Sequence, residues 1–208
     1  MTLIIPSIIA KNQKELDARL KKVSPFWKLV QLDIMDGTLV KSTSLDFNFR
    51  LEKGIRYEAH LMIKNPSDWI IEDPGNVESI IFPLESPGNP LEVIKMIKRM
   101  KKKVGIAIHP TTPVSALTPY LSLIDKAVIM TVNPGRYGAR FLPKTLQKVI
   151  QARKISKTLT LQTDGGMNPQ TIPLALKAGA DEIVVGSYIQ QSINTRQAAD
   201  ELQSLIRK

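Results

Sequence analysis

The 208-residue chain has no cysteine, which excludes disulfides and thiolate metal sites and suits a reducing compartment. Aromatic residues are scarce, at 5%. None interleaves with the densest basic run, KMIKRMKKK at Lys95–Lys103, so the stacking surface that single-stranded nucleic acid requires is missing there. Despite a net charge of +10, that run reads as the solvated face and cationic C-terminal end of an amphipathic helix. Long hydrophobic runs are absent too. The opening MTLIIPSIIA is apolar over only a few residues and has no preceding basic stretch, too short for a signal peptide or a spanning helix. No linker, low-complexity tract or short-period repeat interrupts the chain. These absences predict a soluble, cytoplasmic protein, one domain over residues 1–208, with neither nucleic acid nor membrane as partner.

What is present is a regular alternation. Hydrophobic residues make up 43% of the chain, enough for one substantial core. Short apolar runs predict strands at 2–5, 28–33, 57–62, 79–82, 104–108, 126–132, 159–163 and 182–185. Helical patterns lie near 12–22, 45–52, 67–72 (confined by Pro66 and Pro74), 89–102, 114–121, 142–156, 170–178 and 196–207. Each gap is too long for a hairpin and suits a crossover helix. Eight such units in about 200 residues point to a (β/α)8 TIM barrel, with an open doubly wound sheet as the alternative. Prolines and glycines follow the strands, which puts the distinctive loops at the strands' C-terminal ends.

The period-two rule for strands then sorts the polar residues. In LVQLDIMDG, Gln31, Asp33 and Met35 share a face. In YEAHLMI, Glu58, His60 and Met62 do so. In TLQTDGG, Gln162 and Asp164 share one, and in the first strand Ser7 shares one with Leu3 and Ile5. A buried carboxylate needs a partner or a task. An Asp at a strand end can simply cap the next helix, and a lone His there can be structural. Asp33, His60 and Asp164 converging at one rim would instead hold a divalent metal or act as an acid–base pair. Two glycine loops, Gly165–Gly166 and Gly186–Ser187, follow the last two strands, where barrel enzymes commonly bind phosphate.

Taken in order, IIPSIIA, LDIMDGTLVKSTSLDF, EAHLMIKNP, IHPTTPVSAL (with His109 in place of the usual Asn), VIMTVNPGRYGARFLPKTLQKV, TDGGMNPQTI and AGADEIVVGSYI resemble the motifs of the ribulose-phosphate 3-epimerases along nearly the whole chain. The resemblance implies a phosphate-binding (β/α)8 isomerase that interconverts D-ribulose 5-phosphate and D-xylulose 5-phosphate. It implies Asp33 and Asp164 as the catalytic acid–base pair, and a divalent metal ion (zinc, iron or manganese) on Asp33, His60 and Asp164. It implies substrate contacts from Ser7, Met35, Met62, Met130, Gly135, Gly138, Gly165, Gly166, Gly186 and Ser187, and a homo-oligomer.

Three departures fall on the proposed active face. Gln31 stands where the family has a ligand histidine; an amide oxygen is a weaker, harder donor than imidazole, so zinc affinity is expected to fall. Pro83 replaces a second family histidine, while Glu85 remains. In the loop at 134–141, Tyr137 replaces a glycine, with Arg136 and Arg140 able to compensate by charge. The alternatives are an epimerase for another ketose phosphate with weak or no metal, and a non-catalytic sugar-phosphate-binding barrel.

Overall fold

In the computed structural model, which describes residues 2–72, 77–135 and 138–207, the strands are β1 (Leu3–Ile8), β2 (Leu29–Asp36), β3 (Thr43–Ser44), β4 (Arg56–Leu61), β5 (Val77–Pro83), β6 (Lys103–Ile108), β7 (Lys126–Met130), β8 (Thr160–Asp164) and β9 (Glu182–Val185). All but β3 are parallel neighbours, and β1 pairs with both β2 and β9. That last pairing closes a TIM barrel and removes the open edge a doubly wound sheet would have. The two residues of β3 add antiparallel to the end of β2.

Helices α1 (Gln13–Val23), α2 (Pro66–Ile71), α3 (Pro90–Arg99), α4 (Leu146–Ile155), α5 (Ile172–Ala178), α6 (Ser187–Gln191) and α7 (Thr195–Ile206) follow individual strands. Their starts are written locally. Asn12, Asn89 and Asn194 each accept a hydrogen bond from a first-turn N–H of α1, α3 and α7, a cap worth about 1 kcal/mol. Outward-facing strand residues such as Ile4, Leu32, Leu61, Ile80 and Leu161 share one core with Leu16, Leu20, Ile94, Ile97 and Leu202 of the helices. Lys98 and Arg99 occupy the last turn of α3, where cations suit the helix dipole. Among the described residues no helix is long and apolar enough to cross a membrane.

The barrel interior carries charge at its base. Lys126 Nζ donates to Glu58 Oε2 and Glu182 Oε2, both at 2.6 Å. Gln162 Nε2 donates to Glu58 Oε1 at 2.7 Å and to Glu182 Oε2 at 3.0 Å. Room for the lysine stem comes from Gly105: a Cβ there would lie 2.7 Å from Ile81 Cγ1 and 3.0 Å from Lys126 Cγ. Two small apolar clusters, Ile5–Leu29–Val184 and Ile81–Ala107–Val128–Met130, also face inward.

One expectation fails, one is met in altered form, and one helix was not foreseen. Residues 45–52 form no helix. Leu45 is buried, and Phe47, Phe49 and Leu51 are partly buried against the core, a period of two that belongs to extended chain. The backbone of Arg50 is satisfied from outside: its N–H donates to Gln13 Oε1 and its carbonyl accepts from Gln13 Nε2, so α1 supplies what a helix would have supplied internally. Residues Val114–Tyr120 form a 3-10 helix rather than an α-helix; Pro119 lies inside it and removes a donor that α-helical bonding requires. Finally, α6 was not foreseen, because five residues after a strand carry too little periodicity to register. Pro74, expected to bound α2, lies outside the described residues.

Candidate active site

Parallel registration brings the polar residues to one mouth of the barrel. Asp33 of β2 pairs directly with His60 of β4, and Met130 of β7 with Asp164 of β8. Strands β1 and β9 stand between β2 and β8, so Asp33 and Asp164 approach from separate parts of the barrel wall. They meet at a single atom: Gln31 Nε2 donates to Asp33 Oδ1 and to Asp164 Oδ2, each at 2.8 Å. His60 Nδ1 lies 3.2 Å from Asp164 Oδ2, 3.6 Å from Asp33 Oδ1 and 3.4 Å from the same amide nitrogen. All four residues are buried.

Burial would ordinarily discharge these groups, and their mutual contacts decide otherwise for the imidazole. Loss of water opposes a charge on His60, but hydrogen bonds to Asp164 and Asp33 outweigh it and push the imidazole up to about 10. Burial raises the Asp33 carboxyl above its usual range, assisted by the nearby Asp164 charge and resisted by its bonds to His60 and Gln31. One donor atom from each of Asp33, His60 and Asp164 falls within 4.8 Å of the others. Two carboxylates and one imidazole at that spacing are a fitting donor set for a divalent cation. Gln31 Oε1 is buried with no hydrogen-bond partner among the described residues.

Around this cluster lies a pocket lined by Ser7, Asp33, Met35, Met62, Met130, Gly135, Gly138, Asp164, Gly165, Gly166, Gly186 and Ser187. Every residue expected to contact substrate is therefore in one cavity. The three methionines are almost fully buried and make its wall apolar. A wider neighbouring cavity of about 410 Å³ shares Met62, Met130 and Pro134 with it, and is further lined by His60, Pro83, Glu85 and His109. Glu85 accepts from the His109 N–H at 2.9 Å and from the Thr112 hydroxyl, so its carboxylate braces the loop after β6. Arg140 is exposed; Arg136 and Tyr137 lie outside the described residues.

The glycine loop after β8 is held by two hydroxyls that the strand pattern did not single out. Thr131 Oγ1 donates to the carbonyls of Asp164 (2.9 Å) and Gly165 (2.6 Å), and Thr171 Oγ1 to that of Gly166 (2.9 Å). Thr131 directly follows Met130, so its place at a strand end was the only available signal. Gly165 has φ +114°, and a Cβ there would clash with Val132 Cγ2. Gly165→Ala is expected to cost about 1–3 kcal/mol from the backbone conformation alone, with the Val132 clash added, and to weaken anion binding. Denaturant unfolding and inorganic phosphate titration measure the two effects.

Comparison with known proteins gives the family. Residues 3–190 match the model of the ribulose-phosphate 3 epimerase family. The ribulose-phosphate 3-epimerase of Eremothecium gossypii is 32% identical over 206 residues, covering 90% of this chain and 85% of that protein. The cytoplasmic isoform of Oryza sativa subsp. japonica is 32% identical over 200 residues, covering 89% and 86%. Among solved structures, 3-hexulose-6-phosphate synthase from Salmonella typhimurium superposes with a TM-score of 0.72 at 12% identity, over 99% of this chain and 98% of that one, a likeness of fold. The family match over residues 3–190 and relatives 32% identical along most of their length show that this closed barrel is an isomerase belonging to the ribulose-phosphate 3-epimerase family.

Proposed function

We propose that the protein is a ketose-phosphate 3-epimerase that interconverts D-ribulose 5-phosphate and D-xylulose 5-phosphate. The reading rests on one observation: carboxylates from β2 and β8 reach the same amide nitrogen, each at 2.8 Å. Inversion through a planar intermediate needs one group to take the C3 proton and another to return one from the opposite face. Asp33 and Asp164 fill those roles, and the direction of reaction decides which acts as base. The phosphate lies against the N–H groups of the loops at Gly165–Gly166 and Gly186–Ser187, which orients C3 between the two acids. Met35, Met62 and Met130 exclude water and keep the local dielectric low. A divalent cation held by Asp33, His60 and Asp164 would supply the Lewis acidity that stabilises charge developing on the sugar oxygens. A cytoplasmic location belongs to the same reading, supported by the rice relative's name.

A second reading, turnover of a larger ketose phosphate, is favoured by the 410 Å³ cavity beside Pro83. Both are tested in deuterated water. With D-ribulose 5-phosphate the expected result is deuterium at C3 and formation of the xylulose epimer. Faster exchange with a hexulose 6-phosphate would favour the second reading. Tight sugar-phosphate binding with no exchange from either sugar would leave a non-catalytic barrel and overturn both.

A further inference from the structure

The atoms around Gln31 have a geometry that goes beyond the shared contact on which the acid–base reading rests. Gln31 Nε2, His60 Nδ1, Asp33 Oδ1 and Asp164 Oδ2 stand close together, five of their six separations being 2.8, 2.8, 3.2, 3.4 and 3.6 Å. Four ligands at tetrahedral bonds of about 2.1 Å to a divalent cation would stand about 3.4 Å apart. The end of the glutamine side chain thus occupies the fourth corner. Yet the atom at that corner is chemically unsuited to it. An amide nitrogen offers no lone pair to a cation, and its two N–H groups spend the carboxylate lone pairs that a cation needs. The atom that is suited, Oε1, is buried and has no partner among the described residues.

Resting on the metal reading given above, we propose that Gln31 is a turnover ligand: as a divalent cation enters and releases the His60 Nδ1 proton to solvent, the amide rotates by half a turn, freeing both carboxylates and presenting Oε1 as the fourth donor. Rotation about the terminal torsion exchanges two atoms of similar size, so no neighbour need move. It also leaves one unpartnered amide atom in either orientation, so the carboxylates alone favour the N–H end and a bound cation reverses the choice. The carboxylate pair consequently holds two alternative occupants. One is the amide hydrogens, which crosslink Asp33 to Asp164; the other is a hard cation, which a hard amide oxygen completes. In this account Gln31 positions the acids and sets a threshold for cation binding.

The test uses full-length protein with zinc ion as a diamagnetic probe, calorimetry for stoichiometry, and nuclear magnetic resonance of the Gln31 side-chain amide, assigned by its loss in a Gln31→Glu variant. The expected result is one zinc bound per chain, with both Nε2 proton resonances and the δ-carbonyl carbon of Gln31 shifting at saturation. Gln31→Glu places oxygen at both ends of the group and has no N–H to remove. Manganese ion is therefore expected to bind it at least tenfold more tightly than wild type. One zinc bound with the Gln31 amide resonances unmoved would overturn the turnover while leaving the three-residue metal site standing. Binding of neither zinc nor manganese would overturn both. Should Gln31→Glu fail to fold, the assignment is made with Gln31→His and the resonance shift decides the matter.

Discussion

Asp33→Asn and Asp164→Asn are each expected to lower epimerisation by about 10³-fold or more, the upper part of the range for a lost proton-transfer group. Asparagine preserves volume but cannot accept the C3 proton, so packing around Met35, Met62 and Met130 should survive. The two variants should differ in a way that a merely structural defect would not produce. If each acid serves one face of the sugar, removing one should leave residual C3–H exchange with only one of the two epimers, and removing the other should reverse the preference. Exchange is followed separately from D-ribulose 5-phosphate and D-xylulose 5-phosphate in deuterated water. Equal residual exchange from both sugars in both variants would show that the acids are not divided between faces. In each variant Gln31 Nε2 also loses one charged acceptor at 2.8 Å, so a small fall in melting temperature is expected alongside.

The second large effect concerns the base of the barrel and stability rather than turnover. Lys126→Met should destabilise the protein by about 3–5 kcal/mol at neutral pH, the cost of leaving buried carboxylates without their cation. Lys126 is 5% exposed and Glu58 1%, and the ammonium bonds Glu58 and Glu182 at 2.6 Å each. Burial pushes the Glu58 carboxyl above its usual range, and the Lys126 charge resists it. Without the lysine that carboxyl should rise further. A carboxyl raised in the folded state binds its proton more tightly folded than unfolded, so the variant should regain stability as pH falls toward about 5. Burial works against the Lys126 charge, but its two glutamate partners outweigh this and raise the ammonium above its usual range. The stability it contributes to the wild type is therefore present at neutral pH and is lost only as pH rises through that raised value. Urea unfolding of both proteins at pH 5 and pH 7.5 measures the difference; a variant equally unstable at both values would point to lost packing against Gly105 and Ile81 instead.

Most of the barrel was legible in the sequence because strand alternation and the order of strand and helix patterns are local signals. Alternation on β2, β4 and β8 put Gln31 with Asp33, Glu58 with His60, and Gln162 with Asp164 on inward faces, and the structure brings Gln31, Asp33, His60 and Asp164 into contact. What was illegible depends on partners distant in sequence. The extended course of 45–52 is set by Gln13, 37 residues from Arg50. The charged base joins Glu58, Lys126 and Glu182, and only the closed register reveals that one lysine serves both acids. Strand alternation could place Gln31 on the inward face, but which end of its amide meets the carboxylates depends on the hydrogen bonds around it. Glu85 shows the same limit: its neighbours, His109 and Thr112, come from the next strand's loop.

The methionine wall has a chemical consequence. A chain without thiols leaves thioethers as its most readily oxidised groups, and Met35, Met62 and Met130 line the chamber where Asp33 and Asp164 sit. Peroxide would convert any of them into a bulkier, dipolar sulfoxide. Such damage would wet and narrow the chamber while the surrounding barrel stayed closed, so oxidative injury to this protein should be felt as lost turnover before it is felt as unfolding, and a sulfoxide reductase should reverse it.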